Sequence, residues 1–185
     1  MMGDNYFTNP LEFLISTLFS LYILAVMLRF LLGLVRADFY NPISQFLVRI
    51  TNPLLIPLRK IIPSIGKFDS AALLLMIVLQ LAAVTLILLL RTEGITSAAL
   101  IIVTVARLVS LLLDVFMFAI IIEVIISWMN PGSYNPVSSL LHSLTSPLLR
   151  PIRSLLPPIA GIDLSPLFAI IGLQVLRMLI LPLLA

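Results

Sequence analysis

The chain lacks cysteine altogether, has a single histidine, and draws only 10% of its residues from Asp, Glu, Lys and Arg. Without cysteine there is no disulfide, no thiolate nucleophile, no iron–sulfur ligation and no haem held through a thioether. His142 alone cannot build a multi-histidine metal site within one chain. No basic run interleaved with aromatics marks a nucleic-acid surface. No His-Glu-x-x-His, Gly-x-Ser-x-Gly or cysteine-based signature occurs either. The expectation is therefore a non-enzymatic protein with no catalytic residue, no metal, no cofactor and no nucleic-acid partner. Residues 1–10 carry Asp4 but no Lys or Arg, whereas a cleaved signal begins basic, so the first apolar run is expected to remain as a helix.

Apolar residues are what the chain has in excess. Of 185 residues 61% are hydrophobic, and the mean hydropathy is +1.21. A soluble domain holds about 45–50% apolar and about 25% charged residues, so a water-facing surface of ordinary polarity is excluded. Crossing ~30 Å of hydrocarbon takes about 20 apolar residues at 1.5 Å each. Four runs qualify: residues 11–35, opened by Asn9-Pro10, then 71–90, 98–129 and 167–185. The third is too long for a perpendicular crossing, and its span is placed at about 107–129, the start projecting or tilting. Pro182 weakens only the last turn of the fourth.

The segments between the first two spans and between the last two repeat each other. Tyr40-Asn41-Pro42-Ile43-Ser44 recurs as Tyr134-Asn135-Pro136-Val137-Ser138 at an offset of 94. The same register matches Leu47 to Leu141, Thr51 to Thr145, Pro53-Leu54-Leu55 to Pro147-Leu148-Leu149, Pro57 to Pro151 and Arg59 to Arg153. It ends with Pro63 on Pro157, Ile65 on Ile159 and Asp69 on Asp163, 14 identities in 30 positions. Tyr, Asn and Asp would not align in one register with these prolines by composition alone; this is a duplicated unit. The fold class is thus an all-α membrane protein of four transmembrane helices, arranged as two parallel two-helix repeats with proline-rich interfacial connectors. The first repeat is residues 1–94 with connector 36–70, and the second is 95–185 with connector 130–166. Two crossings return the chain to its starting side, so the repeats share one orientation about a pseudo-two-fold axis along the membrane normal, unlike the inverted repeats of many transporters.

Basic residues in short loops orient the chain. The connectors hold Arg36, Arg49, Arg59, Lys60, Lys67, Arg150 and Arg153, against Arg91 and Arg107 on the other side. This predicts cytoplasmic connectors, external termini and residence in a bacterial inner membrane. Within each connector Asn41 or Asn135 can cap a helix that begins at Pro42 or Pro136. Ile43, Phe46, Leu47 and Ile50 then share one face, as do Val137, Leu140, Leu141 and Leu144, suiting short helices that lie in the interface. Pro53 and Pro147 are expected to end them. Beyond, Arg59, Lys60, Arg150 and Arg153 can reach anionic headgroups, each worth ~1 kcal/mol near an anionic leaflet. The alternative is that these charges only enforce topology.

The Asn-Pro-x-Ser start, the Pro-Leu-Leu-x-Pro-x-Arg core and the closing Ile-x-x-x-Asp, with their flanking spans, resemble the YggT (YlmG) membrane-protein family in its two-repeat form. That resemblance covers nearly the whole chain. It implies an integral membrane protein of a family associated with cofactor assembly on membrane cytochromes, with cell or nucleoid division, and with osmotic and potassium homeostasis. One departure is Glu123, which stands where the first repeat has Arg29.

Four ionisable residues lie inside spans, where each is a functional candidate by default: Arg29, Asp114, Glu123 and Arg177. Matched depths suggest the pairs Arg29–Glu123 and Asp114–Arg177. Rival readings are a snorkelling Arg29, an Asp114–Arg107 pair along one helix, and an ion pathway. Gln80 and Gln174 are expected to hydrogen-bond between helices. Tyr40 and Tyr134 read as interface anchors or as parts of a binding surface, with Asn41, Pro42, Asp69, Asn135, Pro136 and Asp163 completing the repeated motif. The reading is an assembly or scaffold factor for membrane proteins or envelope homeostasis, with anionic lipid headgroups and a membrane protein or a second copy as partners. Its alternative is a component of ion uptake or osmotic-stress homeostasis. The topology makes a first prediction: cysteines placed at Ser64 and Ser154 resist an impermeant thiol reagent in intact cells, while one at Asn5 reacts. Labelling of either connector from outside would reverse the orientation.

Overall fold

A computed structural model of the chain describes residues 4–92, 94–129, 135–155 and 163–184, with side chains from residue 9 onward. Six helices follow in order: α1 (Asp4–Leu34), α2 (Pro42–Ile61), α3 (Ser70–Arg91), α4 (Ser97–Met129), α5 (Pro136–Leu155) and α6 (Ser165–Ile180), the last tightening into a 3₁₀ turn, Leu181–Leu184. The helices α1, α3, α4 and α6 are long and apolar enough to cross a membrane, while α2 and α5 are amphipathic. The protein is therefore a multi-pass membrane protein of two span–connector–span units.

The start of α1 departs from the expectation that Asn9-Pro10 opens the first span, whereas the end of α6 loosens at Pro182 as expected. The helix α1 starts at Asp4, ahead of Asn9-Pro10, and runs through Pro10. Pro10 lies past the four starting amides that have no ladder partner, so it forgoes one interior bond, to the carbonyl of residue 6, and the helix continues through it. Pro182, at the other end of the chain, falls in the 3₁₀ turn.

The connectors depart further. They do not break at their first internal prolines: α2 continues through Pro53 and Pro57, and α5 through Pro147 and Pro151. The reason is placement. Pro53 and Pro57 stand one turn apart on the exposed side of α2, as Pro147 and Pro151 do on α5, so carbonyls left without a ladder partner face outward. The inward face of α2 is Ser44, Leu47, Thr51 and Leu55, all buried. Phe46, expected beside Leu47 on the buried face, is 61% exposed and starts an outer apolar stripe with Leu54 and Ile61. Gln45, Arg49 and Lys60 occupy the remaining, polar side. The helix has three faces, not two.

One apolar core joins the units: Ile23, Val26 and Met27 of α1, Leu55 of α2, Met76 of α3, Val115 and Ala119 of α4, and Leu144 of α5. A second cluster, Leu113, Ile120, Leu149, Ala169 and Leu173, belongs to the second unit alone. The packing is lopsided. α1 packs most extensively on α3, and α3 also packs on α4 of the other unit. A strict two-fold would repeat that contact between α6 and α1, which do not touch among the described residues. The helices α3 and α4, which belong to different units, are consecutive in the chain, α3 ending at Arg91 and α4 starting at Ser97.

Connector helices of the two units also meet, with Leu47 and Leu140 packed against Ala25 and Leu32. Leu47→Ala should therefore destabilise the protein by about 2–5 kcal/mol, the usual cost of emptying a core leucine site. Phe46→Ala should leave the midpoint of thermal unfolding in detergent nearly unchanged. Equal losses from the two would restore the two-faced helix expected from sequence.

Candidate functional site: the connector face

The ionisable residues Arg29, Glu123, Asp114 and Arg177 of the spans fall in two layers, one against the connector helices and one nearer the opposite end of the bundle. In the first layer α1 meets α2 through Arg29, whose Nη1 donates to Thr51 Oγ1 at 2.6 Å and to the Val48 carbonyl at 3.3 Å. The Thr51 hydroxyl donates in turn to the Leu47 carbonyl at 2.6 Å. In the second unit Glu123 of α4 takes the equivalent place. Its Oε2 accepts from the Thr145 hydroxyl, and its Oε1 lies 3.0 Å from His142 Nδ1. Thr51 and Thr145 share one register, as do Val48 and His142, so each unit clasps its connector to its first span at the same two positions.

The charge on the span is opposite in the two clasps, yet the threonine is the same. A hydroxyl has one proton and two acceptor lone pairs, so it can accept from a guanidinium or donate to a carboxylate. Thr51 does the first while giving its proton to the helix carbonyl. Thr145 gives its proton to Glu123, with the Leu141 carbonyl, 3.0 Å away, as the competing acceptor. Both threonines are fully buried. The pair expected between Arg29 and Glu123 accordingly does not form: each is engaged by the connector of its own unit. Thr51 and Thr145 stand among the repeated identities but carry no expected role in the sequence reading, and His142, which as a lone histidine on the polar face of its connector helix reads as solvated, instead meets Glu123.

A second clasp closes each unit. Arg59 near the end of α2 pairs with Asp69, and Arg153 near the end of α5 pairs with Asp163, Nε to Oδ2 at 2.8 Å. The same aspartates hold the starts of the following spans: Asp69 is the N-cap of α3 and accepts from the Ala72 amide at 3.2 Å, while Asp163, one residue before the N-cap position of α6, accepts from the Ser165 amide at 2.9 Å. Burial pushes the Asp163 carboxyl up, but hydrogen bonds from Ser165 and from the Arg153 guanidinium outweigh it and leave the group below the usual carboxylate range. Asn41 and Asn135 cap α2 and α5, each accepting from the amide two residues on at 3.0 Å, ahead of Pro42 and Pro136. Asn41 does more: its amide nitrogen donates to the Pro136 carbonyl at 2.7 Å, joining the two connectors at their starts.

Between the connector-side end of α1, the start of α2 and the turn before α3 lies a cavity of about 530 Å³ whose lining includes Arg29, Arg36, Arg59, Lys67 and Asp69. The turn is closed by Ile65 and Phe68, which exchange backbone hydrogen bonds of 2.9 and 3.0 Å around Gly66 at φ +62°. Phe68 stands edge-on to Phe30 of α1, with centroids 5.2 Å apart. On the opposite wall α1 ends in a Schellman motif, Arg36 N to Gly33 O at 3.1 Å and Ala37 N to Leu32 O at 2.9 Å. Arg36 holds φ +54° there, at the position glycine usually takes.

The other polar layer holds Arg177 of α6, which donates to Asp114 of α4 at 2.6 Å and to Ser110 at 3.2 Å. This is the pair expected from matched depth; Arg107 lines a separate cleft with Glu12 and Arg91, where Arg91 holds Glu12 through two bonds of 2.9 and 2.8 Å. Gln80 is buried on α3 and Gln174 half-buried on α6, and neither side chain makes a hydrogen bond among the described residues. The hydrogen bonds expected between helices at these two positions are therefore not made among the described residues. Tyr40 is 86% exposed, edge-on to Phe39. Lys60 and Arg150 are exposed, with no hydrogen-bond or ion-pair partner among the described residues. Tyr134 lies outside the described residues.

Two tandem span–connector–span units with matched clasps define a duplicated membrane protein. The CCB3/YggT family matches the chain twice, over residues 8–90 and 102–184. The chain belongs to that family. It is 51% identical to an uncharacterised protein of Pseudomonas aeruginosa, over 91% of this chain and 86% of that one. It is also 38% identical to YggT of Escherichia coli K12, over 92% and 88% of the two chains. A Vibrio alginolyticus protein is 42% identical over 90% of each. No solved structure matches.

The two layers predict opposite outcomes for double-mutant cycles on thermal stability. Asp114→Asn with Arg177→Gln should show a coupling of about 1.5–3 kcal/mol, the range for hydrogen bonds to charged groups. Arg29→Gln with Glu123→Gln should add to within about 0.5 kcal/mol, since the two share no partner.

Proposed function

We propose that the protein is a non-enzymatic scaffold or assembly factor of the bacterial inner membrane, with connectors cytoplasmic and termini external. Its connectors lie along the interface, and its partner is another membrane protein or a second copy. One observation supports this over a conduit: between the two polar layers the bundle is closed by Ile23, Val26, Met76, Val115 and Ala119, a dry core shared by both units. The charges within the spans are engaged at the two ends of the bundle, Arg29 and Glu123 by connectors and Asp114 by Arg177. A proton or ion relay would need further ionisable groups between those layers, where the polar residues Gln80 and Gln174 carry no charge.

The competing reading, a component of potassium uptake or osmotic homeostasis, rests on buried Gln80, whose amide makes no hydrogen bond among the described residues. The purified protein in liposomes should show no potassium flux above empty vesicles, and mild-detergent purification should bring down one stoichiometric membrane protein. Flux abolished by Gln80→Leu would overturn the scaffold reading.

A further inference from the structure

The clasp residues, aspartates included, recur in both units, but the cavity beside α1 has no counterpart in charge. At an offset of 94 the second unit has Glu123 for Arg29, Asn130 for Arg36 and Gly161 for Lys67, retaining only Arg153 for Arg59 and Asp163 for Asp69. Four cations thus line the first-unit cavity against one carboxylate, which Arg59 already holds. Arg36 and Lys67 have no carboxylate partner among the described residues. The second bonding edge of Arg29, Nε and Nη2, has no protein acceptor among them either.

These charges are graded in depth. Arg29 lies seven residues before Arg36 on α1, about 10 Å deeper at 1.5 Å per residue. Lys67 sits on the turn at the rim, held over the cavity by the Phe68–Phe30 contact. Arg36 adopts a left-handed backbone that disfavours any side-chain-bearing residue by roughly 1–2 kcal/mol. Basic pockets between the ends of transmembrane helices suit phosphate headgroups. A soluble anion would need no apolar wall, yet Phe30, Phe39, Leu47 and Val48 line the same cavity, where the start of an acyl chain would run.

We propose that this cavity binds the phosphate of an anionic phospholipid, with Arg29 at the floor and Arg36, Arg59 and Lys67 around the headgroup, in the first unit only. The proposal is independent of the scaffold reading and would stand beside a transport role equally well.

Native mass spectrometry of the full chain in detergent tests it, titrated with phosphatidylglycerol, with phosphatidylcholine, and with inorganic phosphate. Phosphatidylglycerol should bind preferentially. Arg36→Gln with Lys67→Gln should weaken it roughly 30-fold, two basic contacts at ~1 kcal/mol each. Arg150→Gln, on the second connector, should change it less than about threefold. Lys67→Gln alone, on an exposed turn, gives roughly a fivefold loss should the double variant not fold. Equal binding of phosphatidylcholine, or an Arg150→Gln loss matching the double variant, would reduce the site to diffuse surface attraction and overturn the proposal. Binding of inorganic phosphate as tight as the lipid would overturn the lipid assignment in favour of a free anion.

Discussion

A buried threonine hydroxyl is the constraint on which each half of this protein turns. Thr51 and Thr145 sit on the inward face of amphipathic helices that are fully apolar neither inside nor outside, and each has its charge partner on the adjacent span. Burying either charge without a partner would be expensive, and burying the hydroxyl unpaired would cost of order 1–3 kcal/mol as well. Meeting each other removes both penalties and fixes the depth at which the connector helix lies against its span. With that depth set, the Arg–Asp clasp at the far end sets the angle at which the chain re-enters as α3 or α6.

Because a hydroxyl serves as donor or acceptor, the duplicated unit was free to reverse the charge at the span position without rebuilding the clasp. That freedom separates architecture from chemistry. The two units keep the same caps and clasps, while one carries a cluster of cations and the other a carboxylate bonded to a threonine beside a histidine. The helix packing is lopsided as well: α1 and α3 both pack on helices of the second unit, while α6 packs only within its own among the described residues.

Much of this was legible in the sequence because it rests on periodicity and register. Spans follow from apolar length, the duplication from the aligned Tyr-Asn-Pro, and the Asp114–Arg177 pair from equal depth on two spans. Register also gave Arg29 and Glu123 as equivalents, but equivalence under a two-fold is not contact, and Thr51 and Thr145 intercept both. The one sign of this in the sequence is that Thr51 recurs as Thr145, and a threonine on an amphipathic helix does not by itself reveal a charged partner on a neighbouring span. Nor could the cavity be read from the sequence: Arg29, Arg36, Arg59 and Lys67 lie on three different segments and converge only once Phe68 packs on Phe30.

The prolines show where a local rule yields to its surroundings. In isolation Pro53 and Pro57 argue for a helix that ends, because each removes a backbone donor and crowds the carbonyl one turn back. On α2 both lie on the side turned away from the bundle, so the inward ladder beside Thr51 and Leu55 remains unbroken where it is needed. A helix that loses hydrogen bonds on one side only is biased to bend toward its intact side. For α2 that side is the core, and the same spacing recurs at Pro147 and Pro151 on α5. The repeated prolines are therefore better understood as shaping each connector to the bundle than as terminating it, and their positions recur in both units together with Arg59 and Arg153, while Arg49 and Lys60 become Ser143 and Ser154.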